Sequence, residues 1–279
     1  MTAGPQEGRA LLFQTGTPTA AVPFAPTVAA AARQGLRTIQ YSRPGYGAST
    51  PDPNRSVASC VADIAAVLET LGHDEFVTVG WSGGGPHALA CGALLADRCR
   101  AVATIAGVAP YPADGLDWLA GMGEENVQEF TRALAGEASL RPGLMELLPR
   151  FQEVTGPHVA DALGGLVSPV DKASLTDDFA ENTAATFRRA LSRGIEGWLE
   201  DSLAFVKPWG FELAEIRVPV TIWQGGQDRM VPFAHGQWLA QHIPGATARL
   251  LPDEGHLSLA VGSLDEIFGE LVEAAASAA

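Results

Sequence analysis

Residues 76–95 read FVTVGWSGGGPHALACGALL. Phe76–Gly80 is apolar or β-branched throughout, which suits a strand covered on both faces. Gly80-Trp81-Ser82-Gly83-Gly84 follows, and the alanine-rich stretch after it suits a helix. A strand that passes straight into a helix must bend sharply. Such a bend leaves no room for a Cβ at Gly80 or Gly84, and it strains Ser82 so that its Oγ is lifted clear of the sheet. The helix N-terminus behind Ser82 offers unpaired N–H groups to a developing negative charge. This strand–GxSxG–helix order makes Ser82 a candidate nucleophile. A glycine-rich structural turn is the plainer reading of the same residues.

A serine hydroxyl needs a base, and the base needs an acid to fix its tautomer. His256 lies in LPDEGHLSL, directly after the last expected strand. His87 falls inside the helix leaving the turn and would point away from Ser82. His73, His158, His235 and His242 lie in helices or connections without a matching strand end. Asp228, in GGQD, follows another expected strand at its carboxyl end, the edge where open α/β sheets place ligands. Asp253 is the alternative acid, three residues from His256 in the same loop. The order Ser82, Asp228, His256 is the one a strand–elbow–helix nucleophile predicts.

Working outward, short apolar runs alternate with helical stretches, the pattern of an α/β fold with a mostly parallel sheet. Strands are expected at Ala10–Gln14, Arg37–Tyr41, Phe76–Gly80, Ala101–Ala106, Val218–Gln224 and Thr247–Leu251. Helices are expected at Val22–Gln34, Ser56–Leu71, Gly85–Ala96, Ala234–His242 and Leu264–Ala276. Between residues 109 and 210 the strand signal vanishes. Glu125–Ala135, Leu140–Val154, Asp177–Leu191 and Ile195–Phe205 show helical spacing of apolar residues instead. The expected organisation is an α/β core, residues 1–108 and 211–279, with a helical cap inserted at 109–210.

Hydrophobic residues make up 47% and charged residues 18% of the 279, enough apolar material for a large core. The formal net charge of −14 disfavours nucleic acid and anionic membrane surfaces as partners. No apolar run is long enough to span a bilayer, and the first ten residues lack a signal-peptide pattern. Cys60, Cys91 and Cys99 form neither a disulfide framework nor a zinc pattern. A reduced, cytoplasmic protein with neither metal nor cofactor is expected.

With FQTGTPT near the start, YSRPGYGAS, GWSGGGPHALA, GGQDRMVP and DEGH, the chain resembles the α/β-hydrolase superfamily. The resemblance is to its cap-bearing serine hydrolase branch of esterases, lactonases and proline-iminopeptidase-like proteins. It implies a Ser82–His256–Asp228 triad, with the backbone N–H groups of Thr17 and Gly83 forming the oxyanion hole. Two residues depart from the family pattern. Thr15 stands where a histidine is usual, which removes a side chain that supports the oxyanion loop. Ser42 stands where an aspartate is usual. The strands that usually precede the first motif look reduced or missing. That would bring the Arg37–Tyr41 strand near a sheet edge, where pairing into a homodimer is the expectation.

The reaction so implied is acyl transfer to water on a small or medium neutral ester, lactone or related small molecule. Trp81, Trp118, Phe130, Phe187, Trp198, Phe205 and Trp209 are candidate pocket walls, although aromatics at helical spacing are more often core. Holding a free amine would need acidic residues near the site, for which Glu124, Glu125, Glu181 and Glu200 are available. Two other classes remain open: a triad enzyme doing C–C hydrolysis, lyase or tailoring chemistry, and a ligand-binding receptor on the same fold.

Overall fold

The strand at 76–81 has hydrogen-bonded neighbours on both sides, so five of its six residues are buried. In the computed structural model, which describes residues 1–277, seven strands form one sheet. They are β1 (Thr2–Ala3), β2 (Arg9–Gln14), β3 (Leu36–Ile39), β4 (Phe76–Trp81), β5 (Cys99–Ile105), β6 (Val220–Gly225) and β7 (Thr247–Leu251). The order across the sheet is β1-β3-β2-β4-β5-β6-β7. All pairs are parallel except β1 with β3. The expected mostly parallel α/β sheet is therefore present, with its start reduced to a two-residue strand. β3 lies one strand in from the edge, since Thr2 and Ala3 pair with Ile39 and Thr38.

Alternation along the strands sends side chains to two separate cores. Leu11, Phe13, Val77 and Val79 pack with α1 (Ala25–Arg33) and with Ile267, Phe268 and Leu271 near the carboxyl end. Ala10, Leu12, Phe76 and Val102 face the other way. There they meet α2 (Cys60–Leu71) through Ile64 and Leu68, and α3 (Gly84–Leu94) through Ala88 and Leu89. The carboxyl ends of the strands share one edge: Gln14 pairs with Gly80, Trp81 with Ile105, and Gly225 with Leu251. Residues just beyond those ends are thereby gathered in one place.

Between β5 and β6 the described residues form six α-helices and no strand. These are α4 (Glu124–Leu134), α5 (Glu137–Gln152), α6 (Val159–Leu163), α7 (Pro169–Ser174), α8 (Asp177–Ala190) and α9 (Glu196–Phe205). The core resumes with α10 (Phe233–His242), α11 (His256–Gly262) and α12 (Leu264–Ser277). Some boundaries differ from expectation. α1 starts at Ala25 rather than Val22 because Pro26 is tolerated only in a first turn. α5 carries Pro142 and Pro149 inside it and begins three residues before the expected Leu140. α6, α7 and α11 were not expected, being too short for a periodic signal. None of the described helices is long and apolar enough to cross a membrane.

His235 ties α10 to the base of the helical insertion. Its Nδ1 accepts the Ala109 N–H (3.1 Å) and its Nε2–H donates to the Trp118 carbonyl (2.9 Å), so both ring nitrogens are committed to the neutral form. Burial, only partly offset by the Trp118 carbonyl and Asp228, pushes its pKa down to about 4. Buried His87 in α3 is likewise pushed down to about 4, chiefly by burial. A depressed histidine stabilises fully above its unfolded value of about 6.5, and the contribution is lost as pH falls towards the folded value. The melting temperature is therefore expected to fall between about pH 6.5 and pH 4. His235→Gln should show a shallower fall in that window; an identical slope in the variant would remove His235 as a cause.

Candidate active site

β4 ends at Trp81 and α3 begins at Gly84, so the chain reverses over Ser82 and Gly83. Ser82 has a positive φ of 55°, an uncommon conformation for a residue with a side chain. Two backbone bonds hold it there: its N–H donates to the Ile105 carbonyl, and its carbonyl accepts from Gly85 N–H, each at 2.8 Å. The flanking glycines are dictated by contact. A Cβ at Gly80 would overlap the Gly84 carbonyl, and one at Gly84 would overlap the Gln14 carbonyl.

Asp228 follows β6 and is almost fully buried, with four donors on its carboxylate. Oδ1 accepts the N–H groups of Met230 and Val231, both at 2.8 Å. Oδ2 accepts Gln224 Nε2 (3.1 Å) and His256 Nδ1 (2.8 Å). His256 thus has Nδ1 engaged and Nε2 directed elsewhere. Burial opposes its charged form, yet the charge and hydrogen bond of Asp228, with Asp171 adding, outweigh burial and raise its pKa above the ordinary value. Ser82 and His256 line the same cavity, and no hydrogen bond joins them among the described residues. Asp253 offers only its backbone carbonyl, to the Gln227 side chain.

Thr17 and Gly83 also line this cavity. Neither backbone N–H has a protein acceptor among the described residues. Gly16, beside them, approaches Ser82 so closely that a Cβ there would touch the serine Cβ at 3.1 Å. Trp81, Phe130, Phe187, Trp198 and Phe205 are in the cavity wall, together with Phe24, Phe151 and Phe179. Trp118 and Trp209 lie outside the lining. Trp118 packs edge-on to Phe130 and donates to the Ala109 carbonyl, while Trp209 packs on Phe211.

The sequence profile of the α/β-hydrolase fold matches residues 9–263. The chain belongs to the α/β-hydrolase fold family. This hydrolase-fold chain is 24% identical over 230 residues to an uncharacterized hydrolase of Bacillus subtilis, covering 80% of the chain and 76% of the relative. It is 26% identical over 216 residues to a pimeloyl-[acyl-carrier protein] methyl ester esterase of Chromobacterium violaceum, covering 76% and 74%. Its fold superimposes on the crystal structure of a bromoperoxidase from Bacillus anthracis with a TM-score of 0.73 at 21% identity. That match covers 98% of this chain and 94% of the other.

Two residues that sequence reasoning missed hold this α/β-hydrolase site together, and both come from the helical insertion. Asp201, on α9, is fully buried. Its carboxylate accepts from Arg43 (2.5 Å), Arg55 (2.5 Å), Tyr46 (2.8 Å) and the hydroxyl of Thr17 (2.6 Å). Burial alone would raise its pKa, but the two guanidinium groups hold it well below the usual carboxylate range. Arg43 also donates to the carbonyls of Thr15 (2.6 Å) and Gly16 (3.2 Å). The loop that lacks its usual histidine is therefore supported by Arg43 and Asp201. Ser42 accepts the Ala21 N–H (3.0 Å), so its hydroxyl, in place of the usual aspartate, also has a structural use.

The second residue is Asp171, on α7 and also fully buried. Its Oδ1 accepts the N–H groups of Leu257 (2.7 Å) and Ser258 (3.0 Å) at the start of α11, next to His256. Gly255 has no room for a Cβ because that carboxylate occupies the space. Local sequence marks neither residue: Asp171 sits beside Lys172 in a short, largely exposed helix, and Asp201 follows Glu200. Their burial, which a carboxylate tolerates only if it is paired, emerges from the fold. Asp171→Asn keeps an acceptor for the two N–H groups but removes the charge. The imidazole titration of His256, followed by NMR, is expected to move to lower pH in that variant; an unmoved or raised midpoint would contradict the assignment.

Proposed function

We propose that the protein is a serine hydrolase that cleaves a small or medium ester-like acyl substrate through an acyl-enzyme on Ser82. The observation that carries the reading is the strained Ser82, standing between two unpaired N–H groups and a buried His256–Asp228 pair on one cavity. His256 Nε2 takes the Ser82 proton as Oγ attacks the carbonyl. The N–H groups of Thr17 and Gly83 receive the oxyanion, each donor of this kind contributing about 3 kcal/mol to catalysis. His256 then protonates the leaving group and afterwards activates the water that releases the acid. Asp228 holds the tautomer and stabilises the imidazolium.

The insertion serves in this reading as a cap over the site, since α4, α5, α8 and α9 all contribute to the cavity wall. That cavity measures about 180 Å³ and is mostly apolar. The ester named for the Chromobacterium violaceum relative agrees with an ester reading without fixing the acyl group.

A fluorophosphonate probe is expected to add once to the protein, as read by intact mass, and not at all to Ser82→Ala. Labelling that persists in that variant would refute Ser82 as the nucleophile. Turnover of p-nitrophenyl esters is expected to fall about 10⁴-fold or more in His256→Ala. Because His256 works as the neutral base and its pKa is raised, kcat/KM should drop as pH falls through a midpoint above about 6.5. An acid midpoint below 6.5 would conflict with the Asp228 and Asp171 contacts.

A further inference from the structure

Glu129, on α4, is an acidic group of the cavity wall that the mechanism leaves unused. Its Oε1 takes two donors from α9, Trp198 Nε1 at 2.9 Å and Ser202 Oγ at 2.7 Å. Its Oε2 has no protein donor among the described residues. The carboxyl is half-buried and forms part of the cavity wall, among Phe130, Phe151, Trp198 and Phe205.

Gln40 Oε1 and Trp81 Nε1, also in the lining, are buried without a protein partner, but neither group is ionisable. Other polar side chains of the wall are engaged by the protein. Asn126 donates to the Met230 carbonyl and Asn182 to the Pro23 carbonyl. Thr183 and Thr186 donate to carbonyls of their own helix. At the rim, Glu125 accepts the Gly165 N–H and Arg150 donates to the Asp161 carbonyl. The acids weighed from the sequence as amine holders are also accounted for: Glu181 pairs with Arg188, and Glu200 accepts the Asn54 N–H. No cation is within ion-pair distance of Glu129 among the described residues, and the buried Arg43 and Arg55 are both engaged by Asp201.

We infer that Glu129 is a specificity-determining residue, whose free Oε2 receives a hydrogen-bond donor carried by the substrate, a protonated amine or a hydroxyl. A carboxyl in an apolar wall is costly unless its acceptors are used, so a substrate bearing such a donor gains over its methyl isostere. Burial raises the pKa of Glu129, against the opposing effect of its two hydrogen bonds; an ammonium partner would draw it back to the ionised form. Position supports the role as well. Trp198, Asp201, Ser202 and Phe205 recur at helical spacing on one face of α9. The helix that fixes Glu129 therefore also grips Thr17, and Phe205 packs against Gly83. The distance between the recognised donor and the reacting carbonyl is set by a rigid element.

This inference rests on the serine hydrolase reading, and the experiment separates the two. Matched esters that differ only in a terminal methyl, hydroxyl or ammonium group are compared over several chain lengths. One series carries the group on the acyl side with p-nitrophenol leaving, the other on the alcohol side of acetate esters. The full chain and its Glu129→Gln and Glu129→Met variants are assayed, with melting temperatures confirming that each is folded. The wild type should favour a donor-bearing ester over its methyl isostere by tenfold or more in kcat/KM. That ratio should collapse in Glu129→Met for either donor. In Glu129→Gln it should collapse for the ammonium arm, where charge matters, and less for the hydroxyl arm. A wild type that prefers methyl-terminated esters, or a preference that survives in Glu129→Met, overturns the role of Glu129 while leaving the hydrolase reading intact. Absence of both ester turnover and Ser82 labelling overturns the hydrolase reading, and this inference with it.

Discussion

The backbone contact between the elbow and its neighbouring strand is the constraint from which the rest follows. α3 starts so close to the end of β2 that the Gly84 position touches the Gln14 carbonyl. Such proximity is open only to glycine, and it leaves Ser82 no ordinary conformation to adopt. Once β2, β4 and α3 are locked in this way, the β2 end brings Gly16 and Thr17 beside the serine. The parallel register then brings the loops after β6 and β7 to the same edge. Strain at one residue is tolerated because two hydrogen bonds and a tightly packed sheet hold it from several directions at once.

Buried charge supplies the second layer of order. Asp201 would be prohibitively costly in the interior if its carboxylate were left unpaired. Here four donors converge on it, and two of them come from arginines that are themselves buried. Pairs of this type add little net stability, but each partner is expensive to remove. They therefore act as locators. The loop bearing Thr17 is fixed by directional bonds from Arg43 and Asp201, not by apolar packing that could slide.

Much of this was readable in the sequence, for identifiable reasons. The elbow was legible because glycine at Gly80 and Gly84 is a steric demand with few substitutes. The strands were legible because burial on both faces requires uninterrupted apolar runs, and Asp228 and His256 followed from their places after such runs. What the sequence did not reveal depends on contacts between distant segments. Asp171 and Asp201 are acids in helical stretches, and nothing local marks their partners 86 and 184 residues away. Glu129 was overlooked beside the neighbouring Glu124 and Glu125, since three acids near the start of a helix look alike until the fold selects one face. Trp118 and Trp209 illustrate the converse, aromatics whose spacing suited a wall but whose partners lie within the protein interior.

The two aspartates also bear on how such a protein could change over generations. The insertion is a long excursion between two strands, a place where chains usually accept exchange of whole segments. In this one, α7 carries the brace for the start of α11, and α9 carries the brace for the loop after β2. Transplanting an insertion from a relative would remove both braces unless matching acids came with it, and it would strand Arg43 and Arg55 without their counter-charge. Diversification of this chain is therefore biased towards point replacement around the cavity rather than towards trading the insertion as a cassette.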